Sequence, residues 1–247
     1  MTFQELIQVM EDMWPLDLQE EWDASGLQLG HPDRDIHRVM VALDCDLRTL
    51  EEALAKGCDT LVTHHPFLFN PLTLNTSTPV GVFIEKALKA DMSIYSSHTP
   101  LDKVSMNVWL AEQLNLQDIH TCEPDGLVRL GTLKEPLSQD DFIALVKDAY
   151  HIPYVHIAGR KDAVQNVAVC GGSGADYTDA LIPQADAYVT GDLKYHAGQK
   201  AWENGLLLCD IGHHAEVIMV GKVTDILREK TDLEVITSVS PDYYEVV

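Results

Sequence analysis

The stretch RVMVALDCDLRTLEEALAKGCDTLVTHHP, residues 38–66, decides the fold. Arg38–Leu43 has the composition of a short buried strand. Leu47–Lys56 has helical spacing, with Gly57 placed to end it, and Thr60–Thr63 is a second apolar run. Strand, helix and strand at this spacing make a βαβ unit of a parallel sheet. The second strand runs into His64-His65-Pro66. Two neutral imidazoles can donate two lone pairs to metal. Successive side chains on a strand face opposite ways, and Pro66 keeps His65 extended, so the pair is expected to serve one ion each.

Working outward, Val80–Ala90 reads as helix, Met92–Ser97 as strand and Ser105–Leu114 as helix. On the N-terminal side, Thr2 and Glu5 have capping-box spacing ahead of Leu6, Met10 and Met13, a helix that stops near Pro15. A polar stretch containing Ser25-Gly26-Leu27-Gln28-Leu29-Gly30 follows. In the middle, Gly126–Leu133 reads as strand and Ser138–Tyr150 as a helix capped by Ser138. Tyr154–Ala158 and Asn166–Cys170 are strands around the polar loop Gly159–Gln165. The alternation then resumes: helix Ala175–Ile182, strand Ala187–Thr190, helix Tyr195–Asn204, strand Leu206–Cys209, helix Ala215–Glu229 and strand Glu234–Thr237.

Val41-Ala42-Leu43, a helix and Asp59-Thr60-Leu61-Val62-Thr63 resemble Val167-Ala168-Val169, a helix and Asp186-Ala187-Tyr188-Val189-Thr190. Each set is followed by a helix, a strand and a histidine, His98 in the first and His213 in the second. The expected fold is therefore α/β, with two related βαβ-type halves and a site in the cleft between them. The expected lobes are residues 1–124 plus 206–247, and 125–205.

Ligands in open α/β sheets bind beyond the carboxyl ends of the strands. Four such ends carry candidate groups: His64 and His65; His98 and Asp102; Gly191 and Asp192; Gly212, His213 and His214. His213 and Glu216 are three apart and share one face of a first helical turn. A carboxylate and an imidazole at this spacing assemble dinuclear carboxylate sites. His214 points elsewhere, to a supporting or structural role. Asp102 is the natural carboxylate ligand of its loop, while His98 is open between ligand, proton shuttle and outer hydrogen-bond donor. The expected metal ligands are His64, His65, Asp102, His213 and Glu216, with His98 as candidate acid/base. Three nitrogens and two carboxylates suit two divalent ions of Fe, Zn, Mn or Ni, and do not suit Ca. The net positive charge of such a centre would acidify a bound water and draw in a small anionic substrate. Cys170-Gly171-Gly172-Ser173-Gly174 is either a backbone cradle for an anion or a tight βα turn that needs glycine. Asp192 is placed to cap the next helix, with Lys194 and His196 in reach of the cleft.

Composition narrows the classes. The 247 residues, 46% of them hydrophobic, suffice for one large domain or two small ones. A formal charge of −22 with no basic stripe argues against nucleic-acid partners. Five cysteines without a C-x-x-C pair read as buried reduced thiols. No apolar run reaches the roughly 18 residues of a membrane span, and the acidic N-terminus lacks a signal-peptide pattern. The expected location is the cytoplasm.

Taken together, Ser25-Gly26-Leu27-Gln28, Val62-Thr63-His64-His65-Pro66, Ser97-His98-Thr99-Pro100-Leu101-Asp102, Cys170-Gly171-Gly172-Ser173-Gly174, Thr190-Gly191-Asp192 and Asp210-Ile211-Gly212-His213-His214-Ala215-Glu216 resemble the NIF-three-like family, also catalogued as GTP cyclohydrolase 1 type 2 homologues. The resemblance implies a two-lobed α/β fold, a dinuclear metal site between the lobes and a toroidal homohexamer. It carries ligand roles onto His64, His65, Asp102, His213 and Glu216. In some members the last two ligands are four apart; here His213 and Glu216 are three apart, so the ligand is His213 or His214. The resemblance implies a hydrolase acting on a nucleotide or related anionic heterocycle, in which activated water attacks a ring carbon. The alternatives are a metal-binding interaction scaffold without turnover and a nucleotide phosphoesterase.

Overall fold

The computed structural model describes residues 1–68, 75–123 and 125–245. In chain order the strands are β1 (Gly26–Leu29), β2 (Arg38–Ala42), β3 (Thr60–Thr63), β4 (Ser93–Ser96), β5 (Gln117–Thr121), β6 (Arg129–Ser138), β7 (His156–Ala158), β8 (Ala163–Val169), β9 (Ala187–Thr190), β10 (Leu207–Asp210) and β11 (Glu234–Thr237). The helices are α1 (Phe3–Met13), α2 (Leu47–Ala55), α3 (Pro79–Lys89), α4 (Thr99–Leu101), α5 (Asn107–Gln113), α6 (Gln139–Tyr150), α7 (Thr178–Leu181), α8 (Tyr195–Asn204) and α9 (Ile218–Lys230).

The chain forms two compact units, Met1–Leu101 with Val217–Val247, and Asp102–Glu216. Each has its own sheet, so the fold is mixed α/β. The expected division, at 124/125 and 205/206, does not follow the hydrogen bonding. β5 pairs with β6, and β10 pairs with β9 and β7, so these segments belong with the second unit. Pro124, at the expected boundary, lies outside the described residues.

The first sheet has the order β1-β4-β3-β2-β11, with β4, β3, β2 and β11 parallel and β1 antiparallel to β4. β3 and β4 are buried along their whole length, and four of the five β2 residues are buried, which fits their continuous apolar composition. Met40, Leu50, Leu61, Phe83 and Ile94 form the core between this sheet and its crossover helices α2 and α3; each such large side chain contributes about 2 kcal/mol by burial. The Thr2–Glu5 capping box opens α1 as expected.

The second sheet has the order β5-β6-β8-β9-β10-β7. β8, β9 and β10 run parallel, and β7 is antiparallel to β10. The run β7-β10-β9-β8 therefore repeats β1-β4-β3-β2 in order, direction and crossover helices, so the repeat read from Val41–Thr63 and Val167–Thr190 is present as topology. Both sheets are mixed rather than purely parallel, because β1, β5, β6 and β7 pair antiparallel.

Three helices differ from expectation: Ala175–Ile182 opens as a 3₁₀ turn, Ala215–Glu229 is preceded by the 3₁₀ turn His213–Val217, and the third bears on Asp102. In place of a single helix over Ser105–Leu114, α4 leads into a π-turn at Asp102–Met106 and only then into α5. Such turns are rare and concentrate at functional sites; this one begins at Asp102.

Candidate metal centre

Within the first unit, β3 delivers two histidines. The strand ends at Thr63, whose Oγ1 donates to the His65 carbonyl at 3.1 Å. Strand alternation ends there too, so the His64 and His65 rings lie 4.9 Å apart instead of on opposite faces. That removes the argument that each must hold its own ion. His98, just past β4, brings its ring to 5.0 Å from His64 and 5.6 Å from His65. One ring nitrogen from each of the three falls within 4.8 Å of the others.

The three rings are oriented alike. His64, fully buried, has Nδ1 2.9 Å from the Ser97 carbonyl oxygen. His65 Nδ1 is 2.8 Å from Asp44 Oδ1, and His98 Nδ1 is 2.9 Å from Asp23 Oδ1. Carbonyl and carboxylate oxygens only accept, so Nδ1 carries the proton in each ring and the lone pair sits on Nε2. Asp23 is itself held by five hydrogen bonds, from Ala24 and Thr99 amides, Ser25 and Thr99 hydroxyls and His98. Burial alone would raise its carboxyl, but the bonds from His98, Thr99 and Ser25 outweigh that and hold it well below the usual carboxylate range.

Within the second unit, β10 leads into a 3₁₀ turn, His213–Val217. Residues three apart eclipse one another in such a turn, and His213 Nε2 lies 3.2 Å from Glu216 Oε2. His213 Nδ1 faces Asp192 Oδ2 at 2.6 Å, so this ring too presents Nε2. Between the two candidate histidines, the structure brings His213 to Glu216. Asp102 and Glu216 are both buried, and a carboxylate oxygen of each lies within 4.8 Å of the other. Burial first, and then these two negative charges, push the nearby Cys170 thiol up.

These residues fit a divalent cation. Four histidines are fixed by acceptors at Nδ1, which is the outer arrangement that orients imidazole ligands. Two close buried carboxylates repel one another unless positive charge offsets them. The mixture of imidazole and carboxylate is that of a borderline transition metal.

Sequence reading missed Asp23 and Asp44 as partners of His98 and His65, and took Asp192 for a helix cap. In the structure no side chain caps α8, and Asp192 holds His213. The available signal was position: Asp44 lies just past β2, and Asp192 just past β9. Two amides of the glycine turn after β8 are already engaged within the protein. The Gly171 amide donates to Asn107 Oδ1 (2.7 Å) and the Gly174 amide to Thr190 Oγ1 (3.0 Å). The turn needs its glycines: Gly172 sits at φ +58°, where a Cβ would come to 2.5 Å from Glu216 Oε1, and a Cβ at Gly174 would come to 2.2 Å from the Tyr188 hydroxyl. An open groove of about 440 Å³ beside α8, walled by His156, Tyr195 and Trp202, takes in none of the five expected ligands.

The class defined so far is a two-sheet mixed α/β protein with histidine and carboxylate clusters at its strand ends. The family model described as Duf34/NIF3 (NGG1p interacting factor 3) matches residues 1–242, and the chain belongs to that family. It is 34% identical, over 93% of its length and 91% of the relative's, to a protein of Streptococcus pneumoniae named GTP cyclohydrolase 1 type 2 homolog. Among solved structures, a Bacillus cereus protein related to NIF3 shares the fold at TM-score 0.94 and 24% identity, covering 100% of this chain and 99% of that one. Reduced HcgD from Methanocaldococcus jannaschii superposes at TM-score 0.87 with 31% identity, covering 96% and 97%.

Proposed function

We propose that this chain is a metal-dependent hydrolase acting on a nucleotide or related anionic heterocycle. His64, His65, Asp102, His213 and Glu216 are its metal ligands, for two divalent ions of Fe, Zn, Mn or Ni. The observation that carries the reading is the common orientation of the histidines, each with Nδ1 on an acceptor. The name of the Streptococcus pneumoniae relative, GTP cyclohydrolase 1 type 2 homolog, supports the choice of nucleotide, with GTP as first substrate to try.

When bound, the metal would supply a Lewis acid and a water of lowered pKa. The remaining work falls to side chains. His98 exchanges a proton at Nε2, while Asp23 accepts from Nδ1 and fixes the ring. Asp44 and Asp192 do the same orienting work for His65 and His213. Asp102 and Glu216 bring the negative charge that retains the cations.

Anaerobic purification, elemental analysis and a GTP turnover assay test this together. The expected result is about two transition-metal ions per chain by the stated proposal, turnover of GTP, and loss of both in Glu216→Ala. Protein that carries no transition metal would sink the reading. Metal retained with no hydrolysis across a nucleotide panel would favour the second reading, an interaction scaffold, which the description of the family as an interacting factor supports. Assembly as a toroidal homohexamer in the cytoplasm is part of the same proposal, and light scattering on purified protein tests the hexamer. No helix among the described residues is long and apolar enough to cross a membrane.

A further inference from the structure

Trp22 stands beside the first-unit histidine cluster and is 59% exposed. Its ring centroid is 5.5 Å from that of His98, with the planes at 76°. Rings meeting edge to face leave at least one indole face uncovered by the imidazole. The backbone on either side of it is held by its neighbours. Asp23, next in the chain, is pinned by five hydrogen bonds, and the Glu20 amide donates to Thr99 Oγ1 at 3.0 Å. A large aromatic is thus carried on a backbone segment held at both sides, largely in solvent, with its ring beside the one assigned to proton transfer.

We propose that Trp22 is a wall of the substrate site on which a planar heteroaromatic ring stacks; this rests on the hydrolase reading of the same cluster. The charge of the segment says which end of the substrate it takes. Glu20 and Glu21 precede Trp22 and Asp23 follows it, so a phosphate group is repelled there while an uncharged ring is not. The flat indole matches any ring with a π-face, and the held backbone beneath it lowers the entropy lost on stacking. Trp22 is then a positioning residue, which sets the ring against His98 without exchanging a proton itself.

The test uses the full metal-loaded chain and three probes: GTP, guanosine and inorganic triphosphate. Guanosine and GTP are expected to bind about tenfold more weakly to Trp22→Ala and Trp22→Leu, while Trp22→Phe keeps most of the affinity. Triphosphate binding and metal content should be the same in all four proteins. Guanosine should quench tryptophan fluorescence in the parent chain and lose most of that quenching in Trp22→Phe. Unchanged guanosine affinity in both Trp22→Ala and Trp22→Leu overturns the proposal, as does loss of metal in parallel with affinity. Turnover of GTP with a KM indifferent to Trp22 defeats the stacking wall and leaves the hydrolase standing. Binding that depends on Trp22 without turnover does the reverse, and a parent chain that binds no probe defeats both.

Discussion

Asp44 and Asp192 each accept a hydrogen bond from the Nδ1 of a candidate ligand, and that bond selects the tautomer with its lone pair on Nε2. An asparagine there can turn either its oxygen or its amide to the ring and no longer enforces one tautomer. Asp44→Asn and Asp192→Asn should each weaken metal binding about 10–100-fold with an unchanged melting temperature, measured by competition with a chelator of known affinity. Gly172→Ala acts from the other side. Its φ of +58° is strained for alanine, and its Cβ would meet Glu216 Oε1. Metal content should fall as it does in Glu216→Ala, and wild-type content in this variant would show that Glu216 can move aside. The histidines were legible because each falls at the end of an apolar run in an unusual pair or spacing. The aspartates that orient them were not, since Asp23 and His98 meet 75 positions apart and only the folded chain brings them together.

Among elements, the loop before β1 and the turn into α4 are tied through one carboxylate. Asp23→Asn should cost about 2 kcal/mol, a fall of about 5 °C in melting temperature. Because the folded carboxyl sits below its ordinary value, its contribution is present above about pH 4 and is lost as pH falls toward the folded value. The gap in melting temperature between wild type and variant should therefore narrow on acidification below pH 4; a gap that stays constant would show that the charge is not what stabilises. The parallel strands were readable from their apolar runs. β1 and β5 were not, because Gly26-Leu27-Gln28-Leu29 and Gln117-Asp118-Ile119-His120-Thr121 are edge strands with exposed residues, and their pairing partners supply what local pattern lacks. The π-turn at Asp102–Met106 is a backbone choice with no residue signature.

At the scale of the molecule, all five cysteines are free. Burial pushes the Cys58 thiol up to about 11 and that of Cys209 up to about 12, from an ordinary value of 9.0. The folded state holds these protons longer than the unfolded chain, so their contribution is complete below pH 9 and is lost as pH rises toward 11–12. Denaturant midpoints should decline over that range, and Cys58 and Cys209 should resist iodoacetamide at pH 8 until denaturant is added. Labelling of either in the native state would contradict their burial.

The first unit is written in two pieces, residues 1–101 and 217–247, with the whole of the second unit between them. On the ribosome this imposes an order of events. The apolar strand β2 emerges early, yet its parallel partner β11 follows only after all the strands of the second unit, a wait of roughly 10–40 s at ordinary elongation rates. During that interval Asp102–Glu216 has all its strands and can close, while one side of β2 stays an unpaired edge, open to other chains. A chain stopped after Glu216 should accordingly form polydisperse aggregates larger than the full chain's own assembly by light scattering, whereas a fragment of one defined size would show that β11 is dispensable. The nascent protein is thus open to aggregation until Glu234–Thr237 has left the ribosome, and that short strand decides when the β2 edge is closed.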